Sequence, residues 1–203
     1  RKVTGGKVFL EGKDISGLAP GDITDRMLSY IPEERMRDGM INEFTVAENL
    51  ILRKHHKMPY SRHGFLNLRD ISRHAEDLIK QFHVKTPSQE THARNLSSGN
   101  IQKVVLAREI PRNPRAIIAS QPTRGLDIGA TEYVREQLLV ERRKGAAILL
   151  ISEDLDEILA LSDRIAVIYE GQIMDIVPRV NATPEKLGLL MAGVHPNEGI
   201  AAR

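Results

Sequence analysis

The sequence of 203 residues contains no cysteine, no tryptophan and few aromatic residues, which make up 4% of the chain. Without cysteine there is neither a disulfide framework nor a thiolate metal site. Because aromatic side chains are scarce, the core has to be aliphatic, as it is in parallel sheets rich in isoleucine, leucine and valine. The length suits one domain, with room for a subdomain.

The chain also lacks a strong net charge and a long apolar run. Its 29 basic and 27 acidic residues give a formal net charge of +2, which offers no electrostatic case for nucleic-acid binding. No apolar run approaches the roughly 20 residues that cross a bilayer, and no signal peptide opens the sequence. We therefore expect a cytosolic protein that works at a membrane only through a partner. Because Arg1–Thr4 includes no methionine and leads at once into strand-like sequence, we expect a fragment of a longer chain.

Apolar runs and helical periodicity predict the order of strands and helices. Strands are expected at Lys7–Leu10 and Leu28–Ile31, followed by a mostly helical subdomain at residues 43–110. The clearest helix of that subdomain runs from Ile71 to Phe82. Its predicted apolar face consists of Ile71, Ala75, Leu78, Ile79 and Phe82.

Beyond the predicted subdomain, strands alternate with helices. The strands are expected at 116–119, 147–151 and 165–169, and the helices at 130–143 and 154–161. Glu170-Gly171 predicts a hairpin turn into a strand at 172–177. A last helix starts with Thr183 as N-cap and Pro184 at its first position. Its predicted apolar face consists of Leu187, Leu190, Met191 and Val194. This alternation predicts an α/β fold with a parallel sheet, formed by residues 1–42 and 111–203.

The most specific chemical signal is the segment Leu96–Asn100, which leads into a predicted helix. Serine and glycine at a helix start offer a hydroxyl and bare backbone N–H groups, and the helix dipole adds partial positive charge. Such a start suits the terminal phosphate of a nucleotide. Taken alone, the segment favours a plain serine N-cap on a helix whose Ile101 and Val104 face the core.

The segment does not stand alone, because it resembles the signature motif of ABC transporter nucleotide-binding domains and other motifs of that family accompany it in order. Ile117–Asp127 resembles the Walker B strand and the D-loop. Ser152–Asp154 lies where the family has its switch histidine, and Tyr30–Arg35 lies at the Q-loop. Thr45–Leu50 resembles the T-V-x-E-N-L motif that opens the family's helical subdomain.

The sequences of the motifs narrow the resemblance to one group of ABC ATPases. Four segments are similar to the second ATPase half of double-domain importer ATPases, which energise uptake of simple sugars or nucleosides. They are Pro32–Gly39, the stretches L-S-x-G-N-x-Q-K-V and P-T-R-G-L-D-x-G-A, and Leu189–Gly193. The resemblance implies a P-loop NTPase-like (RecA-like) α/β fold with an inserted helical subdomain. It also implies ATP and Mg²⁺ as cofactors and a location at the inner face of the cell membrane. The partners it implies are a second ABC ATPase half, paired head to tail, and transmembrane permease subunits, with no nucleic acid.

The resemblance assigns a role to each matching position. Gln121 falls at the place of the general base and Glu153 at that of the switch histidine. The positions that match nucleotide contacts are Glu33, Ser97, Ser98, Gly99, Asn100, Ser120 and Asp127. No metal ligand is assigned.

Several of these positions depart from the family pattern. Ser120 replaces an aspartate, and a neutral hydroxyl cannot supply the anionic charge that steadies Mg²⁺. Gln121 replaces a glutamate, and the loss of acid–base help costs on the order of 10²–10⁴ in rate. Glu153 replaces the histidine and would face a phosphate as an anion, whereas Glu33 replaces a glutamine in a way that this importer group often shows. We therefore expect a half-site that hydrolyses ATP poorly or not at all.

The phosphate-binding loop, G-x-x-x-x-G-K-[ST], does not occur in the 203 residues, and we expect it upstream of Arg1. Because signature and D-loop are retained, we expect Ser97, Gly99 and Asn100 to complete the ATP site of the partner half. A non-enzymatic regulatory or structural half-domain is the alternative. A third interpretation is an ABC ATPase that works on DNA or ribosomes. The small net charge and the importer-like motif sequences argue against it.

Three groups of residues and one single arginine allow a second interpretation. The acidic residues at 153–157 could bind a metal ion, but acids in the first turn of a helix are the simpler explanation. The histidines at 55, 56 and 63 are expected on a solvated surface. Arg35, Arg37 and Asp38 either contact a membrane partner or form a charged turn, and Arg124 is either an interface residue or a surface arginine beside a turn.

Overall fold

The structure, a computed structural model, describes residues 5–194. They belong to two compact units, one ending at Ile151 and the other beginning at Ser152. The first unit contains, in chain order, β1 (Phe9–Leu10), β2 (Lys13–Asp14), α1 (Pro20–Asp25), β3 (Leu28–Ile31), α2 (Val46–Ile51), β4 (Ser61–Arg62), β5 (Phe65–Leu66), α3 (Leu68–Gln81), α4 (Ser98–Glu109), β6 (Ala116–Ser120), α5 (Ile128–Arg143) and β7 (Ala147–Ile151).

A parallel sheet of three strands in the order β3-β6-β7 organises the first unit. Leu28 pairs with Ala116 at one end, and Ser120 pairs with Ile151 at the other. β6 is central and buries Ile117 and Ala119. Within residues 5–194, β7 forms an edge of this sheet, with Leu149 and Ile151 exposed to 58% and 47%.

Three helices between β3 and β6 pack together and supply most of the core of the first unit. Thr45 and Glu48 form a capping box at the start of α2, in which each side chain meets the other residue's backbone N–H. Asn67 caps α3, which buries Ile71, Ala75 and Leu78. α4 is buried on nearly all sides between the sheet and the other helices, and its buried residues include the polar Gln102, Arg108 and Glu109.

The second unit contains α6 (Leu155–Leu161), β8 (Arg164–Tyr169), β9 (Gln172–Pro178) and α7 (Pro184–Met191). β8 and β9 form an antiparallel hairpin through Glu170 and Gly171, which both have positive φ. α7 packs against the hairpin through Leu187 and Leu190.

Most of the predicted elements are confirmed, and the differences have local causes. Residues 68–70 extend the helix predicted from Ile71, because Asn67 supplies the N-cap. β8 pairs with β9, as the turn of Glu170 and Gly171 predicts, and the parallel sheet of the first unit consists of β3, β6 and β7. Met191 and Val194 are exposed, against the prediction that both belong to the buried face of the last helix. Val194 follows the end of α7, so helical periodicity does not apply to it.

Among residues 5–194, no helix is both long and apolar enough to cross a membrane. The prediction of a helical subdomain at residues 43–110 stays a prediction. That stretch contains α2, α3, α4 and the small hairpin of β4 and β5.

Candidate functional site

The start of α4 is held by a short network around Ser97. The Ser97 Oγ accepts hydrogen bonds from the backbone N–H of Asn100 (3.5 Å) and from its side-chain Nδ2 (2.9 Å). The Asn100 Oδ1 accepts from the backbone N–H of Lys85 (2.7 Å), which fixes the orientation of the amide. Since both lone pairs of the Ser97 hydroxyl are engaged, its proton is left to be donated to a further acceptor.

The start of α5 lies directly beside the start of α4. Asp127 caps α5 by accepting from the backbone N–H of Ala130 at 2.8 Å. At Gly99, an added Cβ would lie 3.2 Å from the Cβ of Ala130 and 3.8 Å from the Oδ2 of Asp127. Glycine at this position lets the two helix starts approach each other.

The end of β6 turns sharply toward these helices. The backbone N–H of Gln121 donates to the carbonyl of Ile151 at 2.8 Å, so the turn continues the ladder of β6 and β7. Gln121 is buried and has a φ of 45°, a left-handed conformation that is uncommon for residues other than glycine. The side chain of Gln102, which is fully buried in α4, donates to the Pro122 carbonyl at 2.8 Å and ties the helix to the turn.

A cleft joins the segment after β3 to the start of α4. The Arg124 side chain donates to the carboxylate of Glu33, and the Arg35 side chain donates to the backbone carbonyl of Arg124. Burial lowers the pKa of Arg35, and the charge of Glu34 acts against this shift. The cleft has a volume of about 210 Å³ and is lined by Glu33, Glu34, Arg35, Met36, Ser98, Ile101 and Arg124.

A cation–aromatic contact fixes α4 against α5. The Nζ of Lys103 lies 4.9 Å from the ring centroid of Tyr133 and donates to the backbone carbonyl of His83 at 3.0 Å. Burial raises the pKa of Tyr133 to about 12. The tyrosine therefore stays neutral at physiological pH and serves as packing and as a partner of the ammonium group.

The structure brings most of the predicted site residues into this one region of the first unit. These residues lie at the starts of α4 and α5, at the end of β6 with the turn that follows it, and in the cleft. They are Ser97, Ser98, Gly99, Asn100, Asp127, Ser120, Gln121 and Glu33. Glu153 is exposed and belongs to the second unit. Next to it, Asp154 caps α6 by accepting from the backbone N–H of Asp156 (2.9 Å) and of Glu157 (3.1 Å). The interpretation of these acids as the first turn of a helix is thereby confirmed for Asp154, Asp156 and Glu157.

Some structurally important residues carried no functional prediction. The T-x-x-E spacing of Thr45 and Glu48 is a signal from which the capping box could have been predicted. No local signal marks Glu109, a fully buried carboxylate that accepts from three guanidinium groups. They belong to Arg53 (3.2 Å), Arg108 (3.0 Å) and Arg112 (3.2 Å).

A family model described as "ABC transporter" matches residues 1–124 of the chain. The chain belongs to the ABC transporter family. The segments predicted to be the signature motif, the Walker B strand and the D-loop lie at the start of α4, in β6 with the turn that follows it, and at the start of α5.

Curated relatives of the ABC domain are import ATP-binding proteins. The chain is 48% identical to the nucleoside import ATP-binding protein NupA of Lactococcus lactis subsp. cremoris, over 97% of the chain and 39% of NupA. It is 47% identical to the guanosine import ATP-binding protein NupO of Bacillus subtilis, over 95% of the chain and 38% of NupO. A ribose import ATP-binding protein, RbsA of Oceanobacillus iheyensis, is 36% identical over 97% of the chain and 39% of RbsA. The ABC domain therefore spans less than half of the length of these relatives.

Solved structures of ABC cassettes share the fold. The dimeric structure of MJ0796, a bacterial ABC transporter cassette, matches with a TM-score of 0.71 and 21% identity over 88% of this chain and 75% of that one. A nucleotide-free ATP-binding cassette from an ABC transporter matches with a TM-score of 0.69 and 22% identity, over 97% and 76% of the two chains. The predicted P-loop NTPase-like α/β fold is confirmed.

Proposed function

We propose that this ABC domain is one half of an importer ATPase pair, and that the start of its α4 contacts the terminal phosphate of an ATP molecule bound by the other half. The observation that carries the proposal is the hydrogen bonding of Ser97. Because Asn100 occupies both lone pairs of the hydroxyl, Ser97 acts as a donor toward an anion bound at the start of the helix.

The backbone around Ser97 supports the same ligand. Ser98 and Gly99 are the first two residues of α4, where backbone N–H groups have no acceptor within the helix. The helix dipole adds a partial positive charge at this end. Gly99 has no side chain to shield these groups, so an anion can approach the backbone closely.

The ABC domain's own nucleotide site is proposed to be degenerate. A resident Mg²⁺ needs anionic oxygen ligands or an anionic group behind its waters. Ser120 and Gln121 provide a hydroxyl and an amide at the end of β6, which do not fit that requirement. Gln121 also cannot act as a general base at neutral pH. With Glu153 at the histidine position, hydrolysis at this site would be slow or absent.

The relatives support the wider role. Their names include nucleoside, guanosine and ribose import. We therefore propose that the pair energises uptake of a nucleoside or a simple sugar, at the inner face of the membrane and through permease subunits.

The proposal is tested by pairing this chain with an ABC half that carries an intact phosphate-binding loop and measuring ATP hydrolysis. Ser97→Arg introduces a bulky cation at the helix start and should abolish the stimulation of hydrolysis by this chain, whereas Ser97→Ala should reduce it. Thr183→Arg is the matched control, because it also replaces a helix N-cap but lies at α7 in the second unit. Full stimulation by the Ser97→Arg variant would show the proposal to be wrong.

A second candidate function follows from Ser120, Gln121 and Glu153, which favour a regulatory or structural half-domain without catalysis. It predicts that the other half hydrolyses ATP at the same rate with the Ser97→Arg variant as with the wild-type chain. The same assay therefore distinguishes the two candidates.

A further inference from the structure

A small hairpin in the first unit exposes a concentration of apolar side chains. β4 and β5 form this hairpin, and α3 begins two residues after it. The side chains of Met58, Phe65, Leu66 and Leu68 are exposed to 68%, 81%, 50% and 72%. We refer to residues 53–69, which contain all four, as the hairpin surface.

The base of the hairpin surface is anchored, so the exposure of its tip is a property of the fold. Tyr60 is buried, and its ring lies 5.0 Å from that of His74. Its backbone carbonyl accepts from the N–H of Asn67 at 2.9 Å, and Asn67 in turn caps α3. His63 and Gly64 both have positive φ and form the tight turn at the tip. Phe65 and Leu66 therefore project outward on a fixed ridge.

The charged side chains of the hairpin surface are all basic. Residues 53–69 contain five lysine or arginine residues, three histidines and no acidic residue. Among the acids that face it, Asp25 pairs with Lys57 at 2.5 Å, and Asp70 pairs with Arg73 of α3 at 3.7 Å. Glu109 binds Arg53 from within the core. In the described part of the chain, no acidic side chain pairs with Arg62 or Arg69, the two exposed arginines that flank Phe65 and Leu66.

The crowding of cations extends to the base of the hairpin. Burial lowers the pKa of Lys54, and the positive charges of Arg112 and Lys57 lower it further. A second copy of the chain would present the same charge and be repelled from this surface. An occupant has to be anionic and has to accept apolar side chains as well.

We propose that the hairpin surface docks on a bilayer that contains anionic phospholipids. Exposed apolar side chains on a ridge, flanked by lysine and arginine, are the features of segments that lie at the membrane interface. The apolar side chains enter the boundary between headgroups and acyl chains, and the cations meet the negative surface charge. This interaction needs no nucleotide and goes beyond the proposed ATPase role.

Co-sedimentation of the chain with vesicles tests the proposal directly. Vesicles of phosphatidylcholine alone are compared with vesicles that also contain phosphatidylglycerol, without nucleotide. We expect binding at least about tenfold stronger to the anionic vesicles, and release when the salt concentration is raised to about 1 M. Equal binding to both kinds of vesicle, or binding to neither, would overturn the proposal. Binding to soluble polyglutamate without binding to anionic vesicles would also overturn it, in favour of an acidic protein partner.

Two pairs of variants separate the apolar and the charged contributions. Phe65→Ser with Leu66→Ser, and Arg62→Glu with Arg69→Glu, should each weaken binding to anionic vesicles by at least about tenfold. The controls are Val180→Ser, which removes a side chain that is 89% exposed in the second unit, and Lys13→Glu, which reverses an exposed charge in β2. Because all these side chains are exposed, the variants should keep the circular dichroism spectrum of the wild type. Binding by the hairpin variants equal to that of the controls would contradict the proposal.

The outcome is independent of the nucleotide site. The Ser97→Arg variant should bind anionic vesicles as the wild type does. A variant that loses hydrolysis but keeps vesicle binding bears only on the proposed function. A variant that keeps hydrolysis but loses vesicle binding bears only on the hairpin surface.

Discussion

The guanidinium group of Arg124, in the turn after β6, donates a hydrogen bond to the carboxylate of Glu33, which lies 91 residues earlier in the segment after β3. Both side chains are partly exposed, at 57% and 38%. An ion pair in such a setting has modest strength, because water screens the charges and two flexible side chains lose freedom. Its role is to connect two segments more than to stabilise the fold.

A double-mutant cycle with Arg124→Ala and Glu33→Gln should give a coupling free energy of about 0.2–1 kcal/mol. The value should fall as salt is raised from about 0.05 M to about 0.5 M, because exposed charges are screened. Urea unfolding of the wild type, the two single variants and the double variant measures this coupling free energy. The exposed pair of Arg143 and Glu136, within α5, serves as a comparison. A coupling above about 2 kcal/mol that does not respond to salt would contradict the assignment of a screened surface pair.

Gly99 and Gly129 form a matched pair, because each is the second residue of a helix, α4 and α5 respectively. Gly129→Ala should stabilise the chain by up to about 1 kcal/mol, since its added Cβ meets only an ordinary contact at 3.5 Å. Gly99→Ala should lose this gain, because its Cβ would lie 3.2 Å from that of Ala130 and the two helix starts would have to separate slightly. Thermal unfolding of both variants measures the difference. Equal stabilisation by the two substitutions would show that the contact between α4 and α5 is not tight.

Glu109→Gln should destabilise the first unit by about 3–5 kcal/mol, because it leaves buried Arg108 without its anionic partner. Chemical denaturation measures this loss. Glu136→Gln, on the exposed face of α5, is the control and should change stability by no more than about 0.5 kcal/mol. If Glu109→Gln costs less than about 1 kcal/mol, the buried cluster does not contribute as its geometry indicates.

His74 makes the stability of the first unit sensitive to pH. Burial lowers its pKa below the ordinary value of 6.5, and the charge of Lys54 lowers it further. Between 6.5 and the lower pKa of the folded state, the unfolded chain binds more protons than the folded chain. Stability should therefore fall as the pH is lowered through this window and become level below it. Urea unfolding between about pH 5 and pH 8 should show this slope.

The variant His74→Gln should remove the slope due to His74, because the side-chain amide of glutamine does not titrate in this range. In the control His63→Gln, on the tip of the hairpin, the slope due to His74 should persist. A wild-type free energy of unfolding that rises on acidification in this window would contradict the expected sign.

Local signals in the sequence predicted the elements that local forces determine. β3, β6 and β7 follow from short apolar runs, and the N-caps Ser97 and Thr183 follow from hydroxyl side chains that precede apolar helices. The turn of Glu170 and Gly171 likewise has its own signature. These features depend on neighbours within a few residues.

The features that the sequence did not reveal depend on distant partners. Glu33 was predicted to contact nucleotide, and Arg124 was predicted to be either an interface residue or a surface arginine. Neither segment predicts that these two side chains pair. The polar stretch around the hairpin of β4 and β5 shows no alternation of apolar and polar residues, so no strand was predicted there.

Within residues 5–194, β7 lies at an edge of the parallel sheet, and this position affects how the purified chain behaves. An edge strand presents a row of backbone donors and acceptors, and in β7 the side chains of Leu149 and Ile151 lie beside them. Such an edge is a template for strand addition, either by a complementary peptide or by misfolded neighbours. Leu149→Lys would place a charge on this edge and should slow the aggregation of concentrated samples, which light scattering over time measures.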